Sequence, residues 1–197
     1  HVQAYAIAWT SPYRVGCMSL TSALALGFDE KYCSTECVPT APSPYFNAPS
    51  QYPVTDYELR PTMMLAGTSF EQVKALIDRG IASDHSFPKG QAYLLSTLDK
   101  ARNNRAMSYA QTAKDLAGVF PLQVLGTNFI SDQKDILFYF TGIIRAPMLE
   151  TLGFLPGALA DHLTSFGGML TDSPQMSSLR WLEAGATASY GTVVEPC

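Results

Sequence analysis

The sequence is short of charge. Of its 197 residues, 15% are Asp, Glu, Lys or Arg, and there are 3 histidines. No Lys/Arg run appears, and with a formal net charge of -4 the chain is a poor match for nucleic acid or an anionic membrane as its main partner. No apolar run approaches the roughly 18 residues of a membrane span, so no transmembrane segment is expected. No basic leader with an apolar core stands ahead of the first strand-like run. The glycines form neither GxGxxG nor GxxxxGK[ST], which speaks against a nucleotide phosphate loop. Gly-x-Ser-x-Gly is missing as well, leaving Ser165 and Ser189 without the elbow that exposes a serine nucleophile. Zinc would want two close cysteine pairs, or cysteines joined to histidines at ligand spacing; neither is visible, and no metal or other cofactor is expected.

What is present suits a core. Hydrophobic residues make up 47% of the chain, enough for one α/β domain spanning 1–197. His1 without a methionine, and Cys197 directly after a strand-like run, read as cut ends. The 4 cysteines are Cys17, Cys33, Cys37 and Cys197. An even set with one local pair in a proline-rich loop favours disulfides and an oxidising compartment, so the protein is expected to be periplasmic, at the cell surface or secreted. A metal site or buried thiols are the alternatives. Cys33 and Cys37 are close in sequence. Cys17 follows the first expected strand and Cys197 the last, so a parallel sheet would bring both to its carboxyl edge and favour the pairs 33–37 and 17–197.

Apolar runs of strand length occur at 2–9, 62–66, 91–97, 120–125, 136–140, 159–166 and 186–194. Helical patterns lie between them. Ser69 and Gln72 form a capping box ahead of Phe70, Val73, Leu76 and Ile77, with Gly80 as the stop; Ser108 and Gln111 repeat the pattern. Ser173-Pro174 opens a helix carrying Met176, Leu179 and Leu182. The alternation predicts a three-layer α/β sandwich, a mostly parallel central sheet with helices on both faces. Residues 28–61 interrupt it as a long loop rich in proline and aromatics, which Tyr45, Phe46 and Tyr52 are expected to pack down.

In such sheets ligands gather at the carboxyl ends of the strands. After the third expected strand, Asp99, Arg102 and Arg105 recur three apart, and two arginines beside one aspartate suit a carboxylate or phosphate; a solvated ion pair is the blander reading. His162 is the one histidine near a late strand. With Cys197 it would form a thiol–imidazole dyad, although it stands inside a strand-like run. An N-terminal histidine can hold copper with His85 or His162 completing the site, although the fold expected here is not the β-sandwich of the oxidases that use this arrangement.

The stretches AYAIAWTSPYRVGCMSLTSALALGFD, PSPYFN, LRPTMMLAG, LIDRGIA, LFYFTG, DHLTSFGGMLTDS and LRWLEAGATASYGTVVEPC together resemble an uncharacterised bacterial family of exported proteins, found in genomes with the exosortase sorting system. More distantly, the order LFYFTG, LTSFGG and WLEAGA resembles the gingipain and caspase-like peptidase fold. In that fold a His-Gly follows the first of these strands and a catalytic cysteine ends the second. Thr141-Gly142 and Phe166-Gly167 stand there instead, so the resemblance implies the scaffold without its dyad. The resulting expectation is an exported binding or assembly protein whose partners are other proteins, as a subunit of a larger assembly. A hydrolase acting near Asp99, Arg102 and His162 is the alternative.

Overall fold

The structure is a computed structural model that describes residues 18–34, 36, 38–170 and 173–193. The expected strand at 2–9 and the cysteines Cys17, Cys37 and Cys197 lie outside the described residues. Those described fall into two compact units, 18–64 and 65–193.

In the first unit, Ser19 caps helix α1 (Leu20–Ala25) by accepting from the Ser22 amide at 3.1 Å, and Gly27 ends it with a φ of 74°. Met18 and Ala23 are buried beneath Leu26, Phe28, Tyr32 and Cys33. A single 3-10 turn, Glu30–Tyr32, is capped by Asp29. The expected long loop also contains helix α2 (Pro53–Tyr57), which takes proline in its first turn, where no amide is needed. Tyr45 packs on Tyr57 with ring centroids 6.0 Å apart. Phe46 and Tyr52, expected to pack down, are 73% and 70% exposed instead.

The second unit is a parallel α/β fold. Its elements run α3 (Phe70–Ser83), β1 (Gln91–Leu95), α4 (Ala106–Asp115), β2 (Leu122–Leu125), β3 (Ile136–Thr141), β4 (Phe154–His162) and α5 (Leu179–Glu183). The four strands lie in the order β2-β1-β3-β4, all parallel. β1 and β3 are central and read as continuous apolar runs, as strands covered on both faces do.

One face of the sheet carries Tyr93, Leu95, Tyr139 and Ala160, with Trp181 of α5 packed on it and fully buried. The Trp181 ring meets Tyr139 edge-on at 4.9 Å and Phe154 at 6.3 Å. Such contacts add about 0.5–1.5 kcal/mol beyond the area they bury. The residues that alternate with these, Phe138, Phe140 and Asp161, point the other way. Arg105, at the start of α4, lies over Phe140 and bonds Asp161, which puts α4 on that second face. Helices therefore cover both sides, as expected.

Several expected elements differ. Residues 62–66 form no strand, and Met63 and Leu65 are 67% and 57% exposed. α3 begins at its capping box, where the Gln72 amide donates to Ser69 Oγ at 3.2 Å, but it runs past Gly80 and buries Leu76 while leaving Phe70 78% exposed. α4 starts ahead of Ser108, so the second capping box is not its cap. β4 starts at Phe154 and stops at His162 rather than spanning 159–166. The helix expected from Ser173 shortens to α5, although Met176 is buried as its spacing implied. The last expected strand, 186–194, is reduced among the described residues to one parallel bridge between Leu159 and Ala188.

Candidate functional site

The carboxyl ends of β1, β3 and β4 carry most of the polar residues singled out in the sequence, and the loop after β1 is built to hold them still. Asn103 accepts from the Thr97 amide at 2.8 Å and donates to Ser96 Oγ at 3.2 Å. Asn128 accepts from the Leu98 amide at 2.8 Å, and Thr97 Oγ1 donates to the Gly142 carbonyl at 2.6 Å. The loop presses so closely on β3 that a Cβ at Gly142 would stand 2.0 Å from the Arg102 carbonyl oxygen. Only glycine permits that approach.

Asp99 and Arg102 do pair, at 3.0 Å, and both are partly buried. Arg102 also donates from Nε to Thr164 Oγ1 at 2.9 Å. Thr164 Oγ1 in turn donates to Gln175 Oε1 at 2.5 Å, and the same oxygen accepts from the Phe166 amide at 2.8 Å. The chain from Asp99 to Gln175 thus ties the loop after β1 to the one after β4.

Arg105 takes a different carboxylate. It bonds Asp161, which is 1% exposed, and its guanidinium lies 6.0 Å from the Phe140 ring and 5.8 Å from the Tyr190 ring. Burial raises the Asp161 pKa, while Arg105, the His162 amide and the Tyr190 hydroxyl act the other way. Arg105 Nη1 is buried without a hydrogen-bond partner among the described residues. Tyr190 is held over this pair by a close crossing of backbones. Gly168 donates to the Thr192 carbonyl at 2.8 Å, and a Cβ on Gly168 would meet the Gly191 carbonyl oxygen at 2.3 Å.

His162 stands apart from these groups. It alternates with Asp161 along β4 and so faces the α5 side, 1% exposed. The indole of Trp181 can only donate, and its Nε1 is 2.9 Å from His162 Nδ1, so Nδ1 is the acceptor. The imidazole proton then sits on Nε2 and is donated to the Met176 carbonyl at 2.8 Å. Burial pushes the pKa of this neutral ring down to about 4. Both nitrogens are engaged, leaving no lone pair free to draw a proton from a nucleophile.

The structure thus joins Asp99 to Arg102 and Arg105 to Asp161, while the His162 imidazole bonds Trp181 and Met176 and none of the four. Cys197, the thiol of the expected dyad, lies outside the described residues; Cys33, which is described, is not free. His85 is 97% exposed. Thr141, where the peptidase-like pattern has histidine, is fully buried. Sequence reasoning missed Asp161, Thr164, Gln175 and Tyr190. The available signal was an ionisable pair, Asp161-His162, inside an otherwise apolar strand. Among the described residues no cluster of three His, Cys, Asp or Glu side chains is placed to hold a metal, and no helix is long and apolar enough to cross a membrane.

The amino ends of the strands differ in character. There an open groove of about 1170 Å³ is lined by Phe87, Pro88, Val119, Phe120, Leu137 and Phe138 among others. Of these, Phe87 is 94% exposed and Val119 68%. Large apolar side chains grouped this way are unusual on a surface that meets only water. No protein-family model, curated protein or solved structure matches the chain.

Proposed function

We propose that this is an exported binding or assembly protein, a subunit that contacts other proteins through the apolar surface at the amino ends of its sheet. The observation that carries the reading is the exposure of Phe87 and Val119 on a mostly apolar groove. Aromatic and aliphatic side chains held in water cost free energy that a partner's surface recovers. The carboxyl ends support the same reading from the other direction. There Asp99 and Asp161 each neutralise an arginine, and His162 is locked neutral between Trp181 and Met176.

On this reading the scaffold is like that of the gingipain and caspase-like peptidases without their dyad, and the protein is periplasmic, cell-surface or secreted. Its cysteines then pair as 33–37 and 17–197, the second closing a long loop worth about 4–5 kcal/mol in the chain-entropy model. The competing reading, a hydrolase near Asp99, Arg102 and His162, needs those groups released from their present partners.

The test is co-isolation from the native source. A partner that accompanies the wild-type chain and is lost from a folded Phe87→Ser/Val119→Ser variant supports the proposal. Retention by that variant, or ester or peptide turnover abolished by Arg102→Ala, overturns it.

A further inference from the structure

The outer edge of the sheet points to a second kind of contact. β2 is one of the two terminal strands of the described sheet, bonded on one side to β1. The Ala92 amide donates to the Pro121 carbonyl at 2.9 Å and the Ser96 amide to the Leu125 carbonyl at 2.8 Å, so residues 121, 123 and 125 turn their backbone groups toward β1. By the alternation of a strand, Leu122 and Val124 turn theirs outward. No other described residue pairs with them.

Proteins that leave an edge open usually protect it with a charge, a bulge or a proline that removes an outward donor. This edge has none of these. Its sequence is Leu-Gln-Val-Leu, Val124 is 42% exposed, and Gln123 is exposed with its amide 3.5 Å from Gln91 Oε1. Pro121 precedes it, but its missing N–H would have faced β1.

The strand is also complementary to itself. About a two-fold axis through Gln123, an antiparallel copy sets Leu122 against Val124 of the second copy, and the outward N–H and C=O groups of that pair meet in a hydrogen-bonded ring on each side of the axis. Gln123 meets Gln123, where two amides can bond each other. Leu125 meets Pro121. Every cross-strand pair is apolar on apolar or amide on amide, and no like charges oppose. We infer that the chain pairs with a second copy of itself through β2, joining two sheets into one continuous sheet. This goes beyond the binding reading and does not rest on it, because the groove beside Phe87 and the paired residues of the β2 edge share only Pro121.

Light scattering on the full chain, from micromolar to submillimolar concentration, tests it. The expected mass is twice the 21.4 kDa of one chain. Val124→Pro removes an outward donor that no described residue uses, and should give a folded monomer with an unchanged circular dichroism spectrum. If that variant fails to fold, Val124→Lys decides the matter by placing two like charges near the axis. A wild-type monomer throughout the range, or a dimer that survives every folded variant, overturns the inference. Loss of the dimer with partner binding intact would leave the function proposed above standing.

Discussion

The Trp181 indole donates to His162 Nδ1 at 2.9 Å, and this one bond decides where the imidazole keeps its proton. With Nδ1 occupied, the hydrogen sits on Nε2 and meets the Met176 carbonyl at 2.8 Å. A histidine that sequence reasoning offers as a base is thereby a link between β4 and the segment leading into α5. Burial of the ring makes its protonation costly, which can be measured.

Acid should destabilise the fold through His162. The folded ring has its pKa lowered from 6.5 to about 4 by burial. Between those values the unfolded chain binds the proton and the folded one does not, so stability falls as pH drops through the window. At about 1.36 kcal/mol per unit the loss approaches about 3 kcal/mol. Asp161 has the opposite sign, because its folded pKa is raised above 3.8 and its carboxylate weakens the fold as pH rises through its own window. Urea denaturation of wild type and His162→Asn at pH 7 and pH 4 separates the two. The variant should lose the part of the pH dependence that lies nearer neutrality.

Removing the indole donor should also cost stability at neutral pH. Trp181→Phe leaves Nδ1 buried and unsatisfied, a loss of about 1–3 kcal/mol before the change in packing is added. Denaturant midpoints for Trp181→Phe alone and with His162→Phe check this. The double variant should lose less than the sum of the two single losses.

How far these contacts could be read from the sequence depends on their reach along the chain. ILFYF reads directly as a buried central strand because the run itself carries the signal, and Ser69 with Gln72 marks the start of α3 for the same local reason. The end of α3 was less legible, since Gly80 lowers helix propensity without forcing a stop. Proline and glycine ordinarily weaken a strand, yet β4 runs through Pro156 and Gly157. It is an outer strand of the described sheet, where proline is tolerated, and Gly157 takes a φ of 88°. The Arg105–Asp161 bond spans 56 residues and leaves no local pattern at either end. Phe70 and Ile77 have helical spacing toward a core, but the packing of α3 exposes them by 78% and 41%.

Breaking the buried ion pair should be more damaging than breaking a surface one. Arg105→Ala leaves Asp161 uncompensated in the interior, at a cost of about 3–5 kcal/mol. Lys74 and Asp78 are 65% and 57% exposed, and Lys74→Ala should change stability by less than about 0.5 kcal/mol. A double-mutant cycle with Arg105→Met and Asp161→Leu should show strong coupling, much of the single-variant loss returning when both charges are gone. Additive losses would mean that the pair does not interact.

Gly142→Ala should destabilise strongly, by about 1–3 kcal/mol, because its Cβ would stand 2.0 Å from the backbone oxygen of Arg102. Gly126 is the control. Nothing lies within 4 Å of a Cβ there and its φ is not positive, so Gly126→Ala should be close to neutral. Thermal midpoints of the two variants compare them directly.

The claim on which the functional account rests is that the apolar surface around Phe87 meets another protein. A photo-crosslinking amino acid placed at Phe87, with the same group at exposed Lys74 as control, reads that contact in the native cell. The account predicts a light-dependent adduct with a second protein from position 87, recovered in the envelope or secreted fraction, and none from position 74. Absence of any adduct at 87, or the same adducts from both positions, would contradict it.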